Sequence, residues 1–247
     1  MPKTVENNTL APYYPLALPN QETTSLQTIE LFLGMFAHEL RSQVAGTVQV
    51  CQYIREGKNK DFYLQALDRA TLDTLHVLDN MLTTVKIRAG KLEIATVNES
   101  FHFRAWVHPL IRSFDDVAAI QRKDISLTLH PSLEEAFITT DKVKLGQIIQ
   151  NLLTNALKFS YPNTCIAVNC HILLAGLIIQ VINQGMGIPP EKTATLFAPY
   201  EQLDKGLAGT GLGLYLSRLY SQALGGYLTV KSNHGNTVFT LTIPVYR

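Results

Sequence analysis

A chain of 247 residues, 46% hydrophobic and 17% charged, carries enough apolar material for a core and has the length of one large or two small domains, which excludes overall disorder. Its 21 Lys and Arg against 20 Asp and Glu leave a formal charge of +1, which excludes a broad electrostatic surface for nucleic acid but not a local site for a small anion. Cys51, Cys165 and Cys170 have no metal-ligand spacing and read as buried free thiols in a reducing compartment. No window is apolar enough for membrane insertion, and Met1 to Leu18 holds no signal core, so a soluble cytoplasmic chain is expected.

In chain order, residues 1–23 are polar, contain Pro2, Pro12, Pro15 and Pro19, and read as a flexible tail. From Thr24 a helical period begins. Leu26, Ile29, Leu33, Phe36, Leu40, Val44, Val48, Cys51 and Ile54 form one apolar stripe, broken at Glu56-Gly57-Lys58-Asn59-Lys60. A second stripe runs through Leu64, Leu67, Thr71, Leu75, Leu78, Leu82 and Val85. Residues 24–94 therefore predict a helical hairpin. Two helices alone leave apolar faces wet, so a second copy is expected to complete a four-helix bundle as a homodimer. After Gly90 the pattern shortens. Strands are predicted at Ile125–Leu129, Cys165–Leu173, Leu177–Ile182, Tyr227–Ser232 and Thr237–Pro244, with a turn at Leu173–Leu177. Helices are predicted at Trp106–Gln121, Lys142–Phe159 and Leu212–Leu224. Residues 97–247 thus read as a second, α+β domain.

Four segments carry chemistry. His38 lies between stripe positions 36 and 40 and is followed by Glu39-Leu40-Arg41-Ser42. A lone helical histidine is more often a packed or surface residue. An adjacent carboxylate can hold its tautomer and accept its proton while the ring attacks an electrophile. Asn151, Asn155 and Lys158 share one helix face by their spacing. The face is either simply solvated or a polar row for phosphate and Mg²⁺, with Asn as an oxygen ligand and Lys as a point charge. Asn183-Gln184-Gly185-Met186-Gly187-Ile188 follows an apolar strand, and Gly209-Thr210-Gly211-Leu212-Gly213-Leu214 precedes a helix. Each glycine cluster alone is weak evidence. Neither is a Walker loop or a dinucleotide fingerprint.

The order of these segments, together with Leu196-Phe197-Ala198-Pro199-Tyr200-Glu201-Gln202 and the Gly225-Gly226, Ser232 and Gly235-Asn236-Thr237-Val238-Phe239 run, resembles the boxes of sensor histidine kinases from residue 25 to 244. The resemblance implies a dimeric histidine-phosphotransfer hairpin followed by a Bergerat-fold α/β-sandwich that binds ATP. It implies His38 as phosphoacceptor with Glu39 as its base, and Asn155 as the ligand of a Mg²⁺ that bridges the ATP phosphates. Asn151 and Lys158 would line the phosphates and Phe159 would border the nucleotide. Asn183, Gly185, Gly187, Ile188 and Thr237 would surround adenine. Gly209, Gly211, Leu212, Gly213 and Leu214 would face the phosphates, residues 198–208 would form a lid with Gly206 lending mobility, and residues 91–97 would be a hinge. The partners implied are a response regulator receiver domain and an unidentified sensory input protein. Phosphoryl transfer of this kind asks the protein mainly for alignment and charge neutralisation.

Three positions depart from the family pattern. Asn183 stands where the family has Asp, Gln43 where a proline follows Ser or Thr, and Asn236 where a glycine precedes Thr237. The departures leave an impaired relative, acting as a dimeric phosphotransfer or docking scaffold, as the alternative to an active kinase. Gyrase- or chaperone-type ATPases resemble only the second half. A carboxylate only accepts hydrogen bonds, whereas the Asn183 amide can present oxygen or NH₂. Asn183→Asp should therefore tighten ATP by at most roughly tenfold and sharpen the preference over GTP, read by titrating both nucleotides on both proteins. Strong rejection of GTP by the natural chain, with no gain from Asp, would contradict this reading.

Overall fold

The computed structural model describes residues 25–58, 60–88, 94–173, 176–203, 210–233 and 235–245. The expected tail, the turn residues Leu174 and Ala175, Gly206 and Gly209 lie outside these, as do residues 91–93 of the expected hinge and the side chains of His38 and Glu39.

Two long helices open the chain, α1 (Ser25–Arg55) and α2 (Lys60–Arg88), and they pack along each other. The stop after α1 is glycine chemistry. Gly57 takes φ 75°, its N–H reaches the Ile54 carbonyl at 3.1 Å, and Lys58 N–H reaches that of Tyr53 at 3.1 Å. This pair of bonds satisfies carbonyls that a continuing helix would otherwise use, and the left-handed residue between them is easy only for Gly. Beside the turn the Tyr53 and Tyr63 rings sit 5.0 Å apart. Along the predicted stripes, Val44, Val48, Leu75 and Leu82 are each more than half exposed.

The second half is built on a five-stranded sheet. Its strands are β2 (Lys123–Leu129), β4 (Thr164–Leu173), β5 (Gly176–Gln184), β6 (Tyr227–Asn233) and β7 (Asn236–Ile243), in the order β2-β4-β5-β7-β6. The β2–β4 pair is parallel and the others antiparallel. A two-stranded sheet pairs β1 (Glu99–His102) with β3 (Phe137–Thr140). Helices α3 (Phe103–Arg112), α4 (Asp115–Ile120), α5 (Lys142–Phe159), the short α6 (Pro190–Thr193) and α7 (Gly213–Ala223) complete the order. Leu145, Ile148, Ile149, Leu152 and Leu153 of α5 and Leu216 and Tyr220 of α7 close over Ile166 and Val168 of β4, Leu177, Ile179 and Val181 of β5, and Phe239, Leu241 and Ile243 of β7. The opposite face of the sheet is an open concavity of about 700 Å³ bordered by polar residues such as His171, Gln180, Thr229 and Lys231.

Two expectations need correction. The helix predicted over Trp106–Gln121 is two helices. Helix α3 runs on past Pro109, with Ser113 N–H still on the Pro109 carbonyl at 3.0 Å; the chain then tightens where Phe114 N–H bonds the Ile111 carbonyl at 3.1 Å, and Phe114 is buried in the core. Of the three thiols only Cys170 is buried, where burial pushes it up to about 12; Cys165 is exposed and Cys51 half-buried. No helix among the described residues is long and apolar enough to cross a membrane.

The segment after α2 is tied to the sheet domain by Asp141, the buried N-cap of α5. Its Oδ1 accepts the Lys144 N–H at 2.9 Å, and its Oδ2 accepts the Val97 N–H at 2.9 Å and the Lys144 ammonium at 2.7 Å. Burial pushes the carboxyl up, but the Lys144 ammonium and the two amides outweigh it and hold it below the usual range. Its stabilisation is therefore present above the ordinary carboxyl pKa and lost as pH falls through the lowered one. Asp141→Asn should cost about 1–3 kcal/mol at neutral pH. In urea titrations across pH, the difference from the natural chain should close below about pH 4; a gap that persists at low pH would contradict the assignment.

Candidate functional site

Three inward rungs of the sheet lead to the site. Residues directly opposite on paired strands share a face. The first rung is Ile179–Leu241–Leu228 across β5, β7 and β6, and the second is Val181–Phe239–Val230. Both are apolar and lie under the helices. The third is Asn183–Thr237–Ser232. Asn183 and Thr237 are 4% and 5% exposed, so the sheet's inner face turns polar without opening widely to water. Among the described residues, no buried side-chain nitrogen or oxygen lacks a hydrogen-bond partner.

The turn after Asn183 is held by β6, β7 and α5. Gly185 N–H donates to the Gly235 carbonyl at 2.7 Å, and Ile188 N–H donates to Ser232 Oγ at 2.9 Å. Ser232 Oγ also lies 3.1 Å from Thr237 Oγ1. A side chain on Gly185 has no room, because its Cβ would fall 1.9 Å from the Phe159 carbonyl oxygen.

Helix α5 connects this turn to the second glycine cluster. Asn151, Asn155 and Phe159 follow at intervals of four on one face. Phe159 ends that face beside Gly185. At the other end, Asn151 Nδ2 donates to Ser217 Oγ of α7 at 2.7 Å. A Cβ on Gly213, the first residue of α7, would lie 2.1 Å from Asn151 Oδ1. Half-buried Asn155 sits between the two. The Lys158 ammonium lies 5.0 Å from the Phe159 ring centroid. Lys123 steadies the C-terminal end of α5: its buried ammonium donates to the Leu157 carbonyl and, at 3.0 Å, to Gln121 Oε1, while burial pushes its pKa down.

The Leu196–Gln202 segment also reaches the second cluster. Tyr200 N–H donates to the Gly211 carbonyl at 3.0 Å, Lys192 pairs with Glu201 at 2.7 Å, and the Arg218 guanidinium lies 5.5 Å from the Phe197 ring. Leu212 is buried, whereas Leu214 is half-buried. Thr83 of α2 hydrogen-bonds Tyr220 of α7, and burial pushes that phenol up. The structure thus places Asn151, Asn155, Phe159, Asn183, Gly185, Gly187, Ile188, Gly211, Gly213 and Thr237 along the C-terminal half of α5 and the adjoining end of the sheet. His38 belongs to α1, outside that cluster in sequence and fold. Ser217, Lys123 and Asp141 were not singled out from sequence as site residues, and Ser232 was named only within the C-terminal run, with no role at the site. Only strand register and helix packing reveal their positions.

Residues 140–247 match the family described as the histidine kinase-, DNA gyrase B- and HSP90-like ATPase. The chain is 28% identical over 229 residues to the autoinducer 2 sensor kinase/phosphatase LuxQ of Vibrio parahaemolyticus, covering 87% of this chain and 26% of LuxQ. It is 31% identical over 227 residues to the histidine protein kinase DivJ of Caulobacter vibrioides, covering 87% of this chain and 37% of DivJ. The structure of the histidine kinase ThkA in complex with the response regulator protein TrrA superposes with a TM-score of 0.58 at 19% identity, covering 90% of this chain and 61% of that one. The mixed α/β layer matches the ATPase-like fold of these proteins, and the chain spans about a quarter of the length of LuxQ.

Contrasting glycines test the packing. Gly185→Ala should cost about 1–3 kcal/mol, because its methyl meets fixed backbone. Gly46→Ala in α1, with nothing within 4 Å of the added carbon, should gain up to about 1 kcal/mol. Denaturant unfolding of both variants measures this; equal effects would refute the close approach at Gly185.

Proposed function

The chain belongs to the sensor histidine kinases, and we propose that it is an ATP-dependent protein-histidine kinase that phosphorylates its own His38 and passes the phosphoryl group to an aspartate of a response regulator. The observation that carries this reading is the placement of α5. One helix face touches the Gly185 turn at Phe159 and Gly213 at Asn151, with Asn155 between them. In this reading a nucleotide lies along that face, with the base toward Asn183 and Thr237 and the phosphates toward Asn155, Lys158 and the start of α7. The described residues contain no group of three or more His, Cys, Asp or Glu suited to a metal. An Asn oxygen alone suits a Mg²⁺ that takes its other ligands from phosphates and water, and such an ion would neutralise phosphate charge.

The protein's own residues then have distinct tasks. The His38 imidazole attacks the γ-phosphorus and a bond forms from ring nitrogen to phosphorus. The bond from that phosphorus to the bridging oxygen breaks, the electron pair leaves with ADP, and Glu39 accepts the ring proton. Asn155 and Lys158 hold the phosphates in line, and residues 91–97 let the ATP-binding domain, residues 97–247, reach the hairpin of residues 24–94. The exposed Val44, Val48, Leu75 and Leu82 support a homodimer, because a second copy of the hairpin would cover them in a four-helix bundle. A response regulator receiver domain and a sensory input protein are the proposed partners, and the site of action is cytoplasmic. ThkA is captured with its regulator TrrA, which supports the first of these partners. One observation favours a second reading. Asn183 places a neutral amide where the family has a carboxylate, which suits a dimeric docking or phosphotransfer scaffold with a weakened nucleotide site.

Incubation with labelled ATP and Mg²⁺ should place acid-labile, base-stable phosphate on the chain. His38→Ala should abolish it while leaving dimerisation and nucleotide binding intact; label retained in that variant would overturn the assignment of His38. Asn155→Ala should remove the Mg²⁺ dependence of nucleotide binding in calorimetry. No label on the natural chain, despite nucleotide binding, would favour the scaffold.

A further inference from the structure

We infer that Ser232 is a base-positioning residue of the nucleotide site: its hydroxyl joins the turn after Asn183 to Thr237 and so sets the polar edge that reads the nucleobase. The inference rests on the proposed nucleotide site and adds a residue to it. Ser232 stands directly opposite Thr237 across β6 and β7, and Thr237 stands directly opposite Asn183 across β7 and β5. The three occupy the rung immediately beyond Val181–Phe239–Val230, on the face that carries the core. A row of three polar side chains at the end of an otherwise apolar sheet face is costly unless its groups are paired with each other or with a ligand.

Ser232 Oγ has two partners, and they fix different things. It accepts the Ile188 N–H at 2.9 Å, which pins the glycine-containing turn onto β6. It also meets Thr237 Oγ1 at 3.1 Å, where either hydroxyl can donate. Only one proton serves that contact, so the other hydroxyl proton is left to be offered elsewhere, beside the Asn183 amide. A Cβ on Gly187 would lie 3.2 Å from Ser232 Oγ, so the turn passes close over the hydroxyl. With Asn183 neutral, the base edge is read by an amide and hydroxyls alone, and their orientation carries the discrimination that a fixed carboxylate would otherwise supply.

The test compares ATP, GTP and inorganic tripolyphosphate binding to the full chain and its variants in the presence of Mg²⁺. Ser232→Ala should weaken ATP about three- to tenfold and shift the ATP-to-GTP ratio, and it should leave tripolyphosphate within about twofold. Ser232→Thr, which keeps a hydroxyl, should restore much of the ratio. Should the Ala variant fail to fold, Ser232→Cys keeps the size with a weak hydrogen-bonding group and gives the same reading. Unchanged ATP binding and base preference would overturn the inference. So would a parallel loss of ATP and tripolyphosphate, which marks a merely structural role. If the natural chain binds tripolyphosphate but shows no affinity gain from either base, the inference fails while a phosphate site stands. If it binds none of the three, the proposed function fails with it.

Discussion

The site depends on one constraint of sheet geometry: side chains directly opposite on paired strands must face the same way, so each rung is committed as a whole to core or to solvent. In β5, β7 and β6 the apolar rungs Ile179–Leu241–Leu228 and Val181–Phe239–Val230 lie under α5 and α7, and the next rung is Asn183–Thr237–Ser232. A slip of one residue would put Ile182, Val238 and Lys231 on that face instead, burying a charge and turning Val181, Phe239 and Val230 out to solvent. The apolar core therefore specifies the register, and the register places the polar edge of the site. Stability and recognition are two consequences of the same alternation.

Helix α5 works similarly with a different period. Leu145, Ile148, Ile149, Leu152 and Leu153 fill the core, while Asn151, Asn155 and Phe159 run along a neighbouring face. Both ends are held by buried charges whose electrostatics suit their location. The Asp141 carboxylate accepts amides at the N-terminus, and the Lys123 ammonium donates to a carbonyl at the C-terminus, each complementing the helix dipole. A helix fixed in this way sets the spacing between the two glycine turns that touch it at Phe159 and Asn151. The glycines then serve close approach: Gly185 against the Phe159 carbonyl and Gly213 against the Asn151 amide leave no space for a methyl group.

The first two helices contrast with this domain. Their stripes leave several large aliphatic side chains uncovered, whereas the end of α2 meets α7 through the Thr83–Tyr220 hydrogen bond, with Thr84 buried and Met81 packed against the core. Because α7 begins at Gly213, that contact lies one helix away from the second glycine turn. The packing thus links the helices that carry His38 to the domain proposed to hold the phosphate donor, through a small polar and apolar patch. A patch of this kind resembles the modest surfaces at which domains of one chain move against each other.

Periodicity alone determined much of this molecule. The long stripes up to Val85, the strong alternation of residues 164–184 and 227–243, and the Asp141-capped run to Phe159 have local patterns that the fold retains, because each is long enough for its period to outweigh chance. The short β1 and β3 were illegible, since four residues show too little alternation, and the break at Ser113–Phe114 was hidden because both of its flanks are helical. At the site, glycines and amides were visible as residue types in a telling order. Which of them touch was not visible, because Ser232 meets Ile188 across 44 residues and Asn151 meets Ser217 across 66. Local sequence encodes the torsional and amphipathic preferences of each segment. Strand register and helix packing alone decide which distant side chains share a rung or a groove, since those pairings follow from burying all the apolar faces at once.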